Sequence, residues 1–147
     1  PGLLPWIRGS GVVANAIERG VPIGSTTHFV DGTIDTGEII ERRLLDVEGA
    51  NSYKDLEQKA NELAVNMMVD LIKNLRNSPE SITSLKQEKK FKICKRPSEQ
   101  KMKKINSLIL EGKPKKHFID WVADSEGPPF YRISKDYTVK QNEFSIN

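Results

Sequence analysis

The chain has 147 residues, 37% of them hydrophobic and 29% charged, with a formal net charge of +3. This length suits one ordinary core, and with a mean hydropathy of -0.51 no run approaches the roughly 20 apolar residues of a membrane span; membrane, collagenous and disordered classes are excluded. The single cysteine, Cys94, rules out an intrachain disulfide and a cysteine-rich metal cluster, which points to a reducing, cytoplasmic setting.

Residues 1–9 read as a loop, because Pro fixes φ and lacks an N–H while Gly admits backbone angles that other residues avoid. The opening Pro1-Gly2-Leu3-Leu4-Pro5 has no initiator Met and no leader-like segment, so a piece of a longer chain is expected. Ser10 is the predicted cap of a helix over 11–19, with Val12, Val13, Ala16 and Ile17 on one side and Gly20 as its stop. β-Branched and aromatic residues predict strands over 26–30 and 38–47. Their connection, 31–37, is too long for a two-residue hairpin turn. It is rich in Gly, Asp and Thr, which let a loop aim N–H groups and carboxylates at a ligand.

Ser52 and Asp55 approximate a capping box, and Leu56, Ala60, Leu63, Ala64, Met67, Met68, Leu71, Ile72 and Leu75 recur at the helical period. A long amphipathic helix over 53–76 follows, with both methionines as core filler. After Pro79 the pattern weakens: 85–95 reads as a strand or a lysine-rich linker, Ser98 caps a basic helix to about 110, and Gly112-Lys113-Pro114 breaks it. Residues 117–122 read as a helical turn, Gly127-Pro128-Pro129 as a turn, and 130–139 as a strand or hairpin through which a homodimer is one option.

Charge is unevenly placed along these elements. Residues 86–116 hold 12 Lys and Arg against 3 Asp and Glu, so a basic segment follows an acidic body. A polyanion-binding surface and a solvated lysine-rich face both produce this asymmetry, and the scarcity of aromatics among the lysines favours the second.

Two histidines and one cysteine provide no paired metal-ligand spacing, so no metal site is expected, and neither a GxxxxGK phosphate loop nor a GxSxG nucleophile elbow occurs. What remains is the carboxylate-bearing loop 31–37, close in sequence to His28. A carboxylate in a partly dry loop can steer proton transfer near neutral pH; equally, turn acids satisfy backbone donors.

Four blocks stand in order within 40 residues: Pro1-Gly2-Leu3-Leu4-Pro5-Trp6-Ile7-Arg8-Gly9, Ala16-Ile17-Glu18-Arg19-Gly20, Gly24-Ser25-Thr26-Thr27-His28-Phe29-Val30 and Ile34-Asp35-Thr36-Gly37-Glu38-Ile39-Ile40. This run resembles the second half of the folate-dependent formyltransferase domain. That family includes the transformylase of purine synthesis, methionyl-tRNA formyltransferase, amino-sugar N-formyltransferases and formyltetrahydrofolate hydrolase. The likeness is good over about residues 1–76 and loose beyond. It implies an α/β, formyltransferase-type Rossmann-like fold of which this chain carries the second half only, 1–78, followed by a linker and a short basic α/β extension over 79–147.

The resemblance also implies an activity, the transfer of a formyl group from 10-formyltetrahydrofolate to an acceptor amine. Asp35 matches the catalytic aspartate that manages the proton. Asp31, Gly32, Thr33, Ile34 and Asp35 would offer backbone groups to the pterin ring. His28 does not match the family's oxyanion histidine and is expected to be structural or to support the loop. The family's oxyanion-stabilising asparagine and histidine form an N-x-H motif immediately before the residue matched by Pro1, so this chain by itself is expected not to catalyse transfer.

The resemblance leaves the acceptor open. Purine transformylases carry a substrate-contacting glutamate on the long helix, and that position falls on Ala64 here, which argues against a glycinamide substrate. The short lysine-rich tail is closer to amino-sugar formyltransferases, so a nucleotide-linked amino sugar or another small amine is the favoured acceptor. Methionyl-tRNA is the alternative, because lysines position a tRNA through its phosphates. The hydrolase reading is less supported, since those proteins normally carry an N-terminal regulatory domain. A non-catalytic polyanion-binding module using 86–116 is the reading from a different class.

Overall fold

The computed structural model of the chain describes residues 1–87, 91–123 and 132–133. Helix α1 (Val12–Arg19) starts after Gly11 rather than under the predicted Ser10 cap. Gly11 adopts a left-handed φ of 61°, a conformation that costs any residue with a Cβ, and no side chain caps the helix. The Ser10 hydroxyl instead donates to the Cys94 carbonyl. Buried Asn15 closes this end by donating from Nδ2 to Gly11 O at 2.8 Å and to Lys95 O at 3.0 Å. Gly20 stops the helix as expected, in a left-handed conformation whose N–H reaches back to the last turn.

Strands β1 (Gly24–His28) and β2 (Ile39–Leu44) pair antiparallel, with Gly24 opposite Leu44 and Thr26 opposite Arg42. An irregularity between Thr27 and His28 places His28 opposite Ile39. β1 therefore lies two residues earlier than strand propensity indicates. Gly24 is recruited because a Cβ there would stand 2.5 Å from Arg43 O and 2.6 Å from a Leu3 methyl, a packing that only glycine permits. β2 is shorter than the predicted 38–47. β3 (Arg132–Ile133) pairs parallel with β2 and completes a sheet of order β1-β2-β3. The remainder of the predicted 130–139 element, and the predicted Gly127-Pro128-Pro129 turn, lie outside the described residues.

Helix α2 (Tyr53–Asn77) forms as the periodicity indicates, with the Ser52 hydroxyl accepting from Asp55 N at 3.1 Å. Its buried stripe is narrower than expected and consists of Leu56, Ala60, Leu63 and Met67. Met68 is 51% exposed, so only Met67 is core filler. Adjacent residues on a helix are about 100° apart, and one face alone meets the rest of the fold. Arg43 ties this helix to the sheet, with Nη1 2.7 Å from Asp70 Oδ2 and Nε 2.9 Å from Glu41 Oε1.

A 3-10 turn (Pro79–Ser81) then returns the chain to the sheet. Segment 85–95 is pinned near both ends, where Leu85 bridges Ile39 and Cys94 bridges Gly9; residues 88–90 lie outside the described residues. Helix α3 (Glu99–Leu110) carries the predicted Ser98 cap. Helix α4 (Lys113–Ala123) exceeds the single turn expected over 117–122, because Pro114 falls in the first turn, where a missing N–H costs nothing. Cys94, Ile105 and Ile109 share one buried cluster with Ile7, Ala14, Ile17, Leu56 and Met67, so residues on both sides of position 78 build the same core.

The N-terminal loop is strapped across β1 and β2. Gly2 N donates to Gly24 O at 2.9 Å, the Thr26 hydroxyl donates to Gly2 O at 2.8 Å, and buried Arg42 donates from Nε to Leu4 O at 2.7 Å. The Arg42 guanidinium lies 5.1 Å from the Trp6 ring centroid, and Trp121 of α4 meets the same indole edge-on at 5.5 Å. Burial pulls the Arg42 pKa down to about 10, which leaves it charged at neutral pH.

Candidate functional site

The strapped N-terminal loop and the β1–β2 connection meet at Asp35. Asp35 is the one non-glycine among the described residues with a positive φ, 54°. Asp tolerates that region better than most residues, and such a conformation persists when its surroundings over-determine it. Here they do. Gly9 N donates to Asp35 Oδ2 at 2.8 Å, and Arg8 Nη2 donates to the preceding carbonyl, Ile34 O, at 2.9 Å. Gly37 runs so close to β1 that a Cβ on it would lie 1.7 Å from Phe29 O. Gly37→Ala is therefore expected to force the loop off the strand at a cost of about 1–3 kcal/mol, read by urea unfolding. An unchanged midpoint would mean that the loop moves freely.

His28 completes the cluster. Its Nδ1 lies 2.8 Å from Phe29 O, and a carbonyl only accepts, so Nδ1 carries a hydrogen. Nε2 then faces Asp35 Oδ1 at 3.7 Å, as an acceptor in the neutral ring and as a donor in the imidazolium. The two groups stand at ion-pair distance, with the carboxylate about one-third exposed.

The remaining loop residues divide into two roles. Asp31 turns inward, accepting from Thr33 N at 3.1 Å and from the Thr33 and Thr36 hydroxyls, so its carboxylate shapes the loop. Gly32, Thr33 and Ile34 form the outer edge. All three are exposed, Ile34 by 60%, and nothing approaches within 4 Å of where a Gly32 Cβ would sit. On another side of the loop lies an open cleft of about 470 Å³ bordered by Phe29, Asp31, Thr36, Glu38, Lys86 and Gln87. Asp35 does not line it. Among the described residues, no three His, Cys, Asp or Glu side chains gather as a metal-holding group.

The structure brings together Asp35, which the sequence singled out, and His28, which it expected to support the loop. The sequence did not single out Arg8, Gly9 or Gln87. The first two stand inside the opening block, where the Arg-Gly pair beside a carboxylate loop was the available signal. Gln87 carries no local signal.

The model of the Formyl transferase family matches residues 1–72. Formyltetrahydrofolate deformylase 2, mitochondrial, of Arabidopsis thaliana is 36% identical over 74 residues, which is 50% of this chain and 23% of that protein. Phosphoribosylglycinamide formyltransferase of Bacillus subtilis (strain 168) is 33% identical over 76 residues, 51% of this chain and 39% of that protein. The chain thus spans well under half the length of these relatives. Among solved structures, the formyltransferase PseJ from Anoxybacillus kamchatkensis, in complex with UDP-4,6-dideoxy-4-formamido-L-AltNAc and tetrahydrofolate, aligns with a TM-score of 0.61 at 21% identity over 77% of this chain and 62% of that one. A 4-N formyltransferase from Francisella tularensis aligns with a TM-score of 0.56 at 23% identity over 75% of this chain and 48% of that one. The α/β fold is that of the formyltransferases. The likeness to the Formyl transferase family thus lies in residues 1–72, just under half of the chain.

Proposed function

We propose that this chain supplies the proton-handling, folate-facing half of a formyltransferase site. The observation that carries this reading is Asp35, held left-handed by Gly9 and facing His28, at the junction of two loops inside the family-matched segment. The formyl donor, 10-formyltetrahydrofolate, brings an electrophilic one-carbon unit. Its pterin ring suits the outer edge of the loop, where Gly32, Thr33 and Ile34 are exposed and nothing lies within 4 Å of where a Gly32 Cβ would sit.

An amine attacking a formyl carbon must shed a proton. Asp35 is the group that takes it, and His28 Nε2 provides a second resting place 3.7 Å away. Gly9 and Arg8 keep the carboxylate aimed, which lowers the reorganisation needed at the moment of transfer.

For the acceptor, we favour a nucleotide-linked amino sugar. The support is that the likeness to PseJ covers 77% of this chain, more than the 72 residues of the family match, so it extends beyond the family-matched segment. Methionyl-tRNA stays as the second reading, because Lys103 and Lys104 of α3 and Lys115 of α4 are exposed. The buried Cys94 thiol suits a reducing compartment such as the cytosol, and no described helix is long and apolar enough to cross a membrane.

The test is calorimetric titration of the natural full-length protein with tetrahydrofolate at two salt concentrations, followed by transfer assays with a UDP-linked 4-amino sugar, glycinamide ribonucleotide and methionyl-tRNA. Tetrahydrofolate binding that moderate salt leaves unchanged, with formylation of the sugar, is expected. No tetrahydrofolate binding, together with RNA binding that falls steeply with salt, would replace the enzyme by a polyanion-binding module.

A further inference from the structure

The Asp35 loop is held from a third side, by a segment that lies beyond the family-matched residues. Gln87 Nε2 donates to Asp35 O at 3.1 Å and to Gly37 O at 2.6 Å. A glutamine amide has two N–H donors, and here both are directed at carbonyls of the loop that holds Asp35, the one non-glycine with a positive φ among the described residues. The contact is not isolated. Leu85 exchanges two backbone hydrogen bonds with Ile39, both 2.8 Å long, and the Ser84 hydroxyl bonds the Glu38 carboxylate. Segment 84–87 thus runs along 35–39, with Gln87 at its end as the only one of these contacts that reaches Asp35 itself.

We propose that Gln87 is a positioning residue for Asp35, and that residues beyond 72 therefore set the aim of the proton acceptor. The inference rests on the reading of Asp35 given above. Physically, the carboxylate is steered from both ends of its residue: Gly9 N–H holds the side chain, while the Gln87 amide holds the carbonyl of the same residue. Without Gln87 the peptide after Asp35 loses the donor that fixes its plane, and the left-handed conformation competes with ordinary ones. The side chain is half-buried at the edge of the cleft and outside the main core cluster, so its loss affects the aim of the loop more than the stability of the fold.

The test uses the natural full-length protein with 10-formyltetrahydrofolate and whichever acceptor amine it formylates. Gln87→Ala removes both donors, and the nearly isosteric Gln87→Glu places a carboxylate oxygen against two carbonyls. Each is expected to lower kcat on the order of 10- to 100-fold, as a small misplacement of a reacting group does, with little change in the KM of the acceptor and an unfolding midpoint close to the parent's. In an Asp35→Asn background the same Gln87→Ala change is expected to add no further loss beyond about twofold, because Gln87 acts through Asp35. Amide hydrogen exchange supplies a readout independent of turnover: the Gly9 amide, which bonds the Asp35 carboxylate, is expected to exchange about tenfold faster in Gln87→Ala while α2 amides stay protected.

If Asp35→Asn is inactive while both Gln87 variants keep full kcat and normal Gly9 exchange, the inference falls and the reading of Asp35 stands. Losses that multiply in the double variant overturn it too, since Gln87 would then act independently. If Asp35→Asn keeps its turnover, the reading of Asp35 is what fails, and the role of Gln87 goes with it.

Discussion

Asp35→Asn in the natural full-length protein is expected to lower turnover by at least about 100-fold without moving the unfolding midpoint. The structure explains why asparagine is the informative replacement. Asn tolerates a left-handed φ as well as Asp does, and its side-chain oxygen can still accept from Gly9 N, so the loop retains its shape. What disappears is the negative charge opposite His28 and the capacity to take a proton. Alanine would be a poorer probe, because it adds backbone strain of about 1–2 kcal/mol to the chemical loss. The check is kcat at saturating formyl donor and acceptor, beside a thermal melt. Near-parental turnover in a folded variant removes Asp35 from the mechanism.

Leu63→Asp is expected to have the largest effect on stability, roughly 3–5 kcal/mol, enough to lower the unfolding midpoint on the order of 10 °C or to prevent folding. Leu63 is 6% exposed in the cluster that joins α1, α2 and α3, and a carboxylate there has no partner. A matched control lies five positions along the same helix. Met68 is 51% exposed, so Met68→Asp introduces the same charge into solvent and is expected to cost less than about 1 kcal/mol. Paired urea titrations decide the point. Equal destabilisation by the two substitutions would mean that α2 presents a different face to the core.

The two methionines show how far local pattern reaches. Periodicity placed Met67 and Met68 on one broad stripe, since both are apolar and both fit a helical repeat. Which of them is inside depends on where the sheet and α1 lie against α2, and the repeat holds no information about that. Ser10 and Ser98 make the same point at helix ends. Both are good cap residues by type, yet only Ser98 caps, because the first helix starts after Gly11 and the Ser10 hydroxyl is turned to the Cys94 carbonyl. Gly24 entered a strand against its propensity because Leu3 and Arg43 left room for nothing larger.

The sequence by itself determined the elements whose causes are local: the long α2 from its period, the stop at Gly20 from glycine's freedom at positive φ, and the Ser52 and Ser98 caps from short side chains that reach the next turn. It also determined Asp35 as the candidate carboxylate, through a block whose spacing resembles a known domain. Only the tertiary structure decided which groups bond that residue. Gly9 stands 26 residues from Asp35 and Gln87 stands 52 away, and the hydrogen bonds that join them form only once the N-terminal loop and the segment after α2 have folded back onto the sheet. Hydrogen bonds of such long sequence separation leave no periodic trace, because an N–H donor is set by reach and angle in space rather than by its neighbours in the chain.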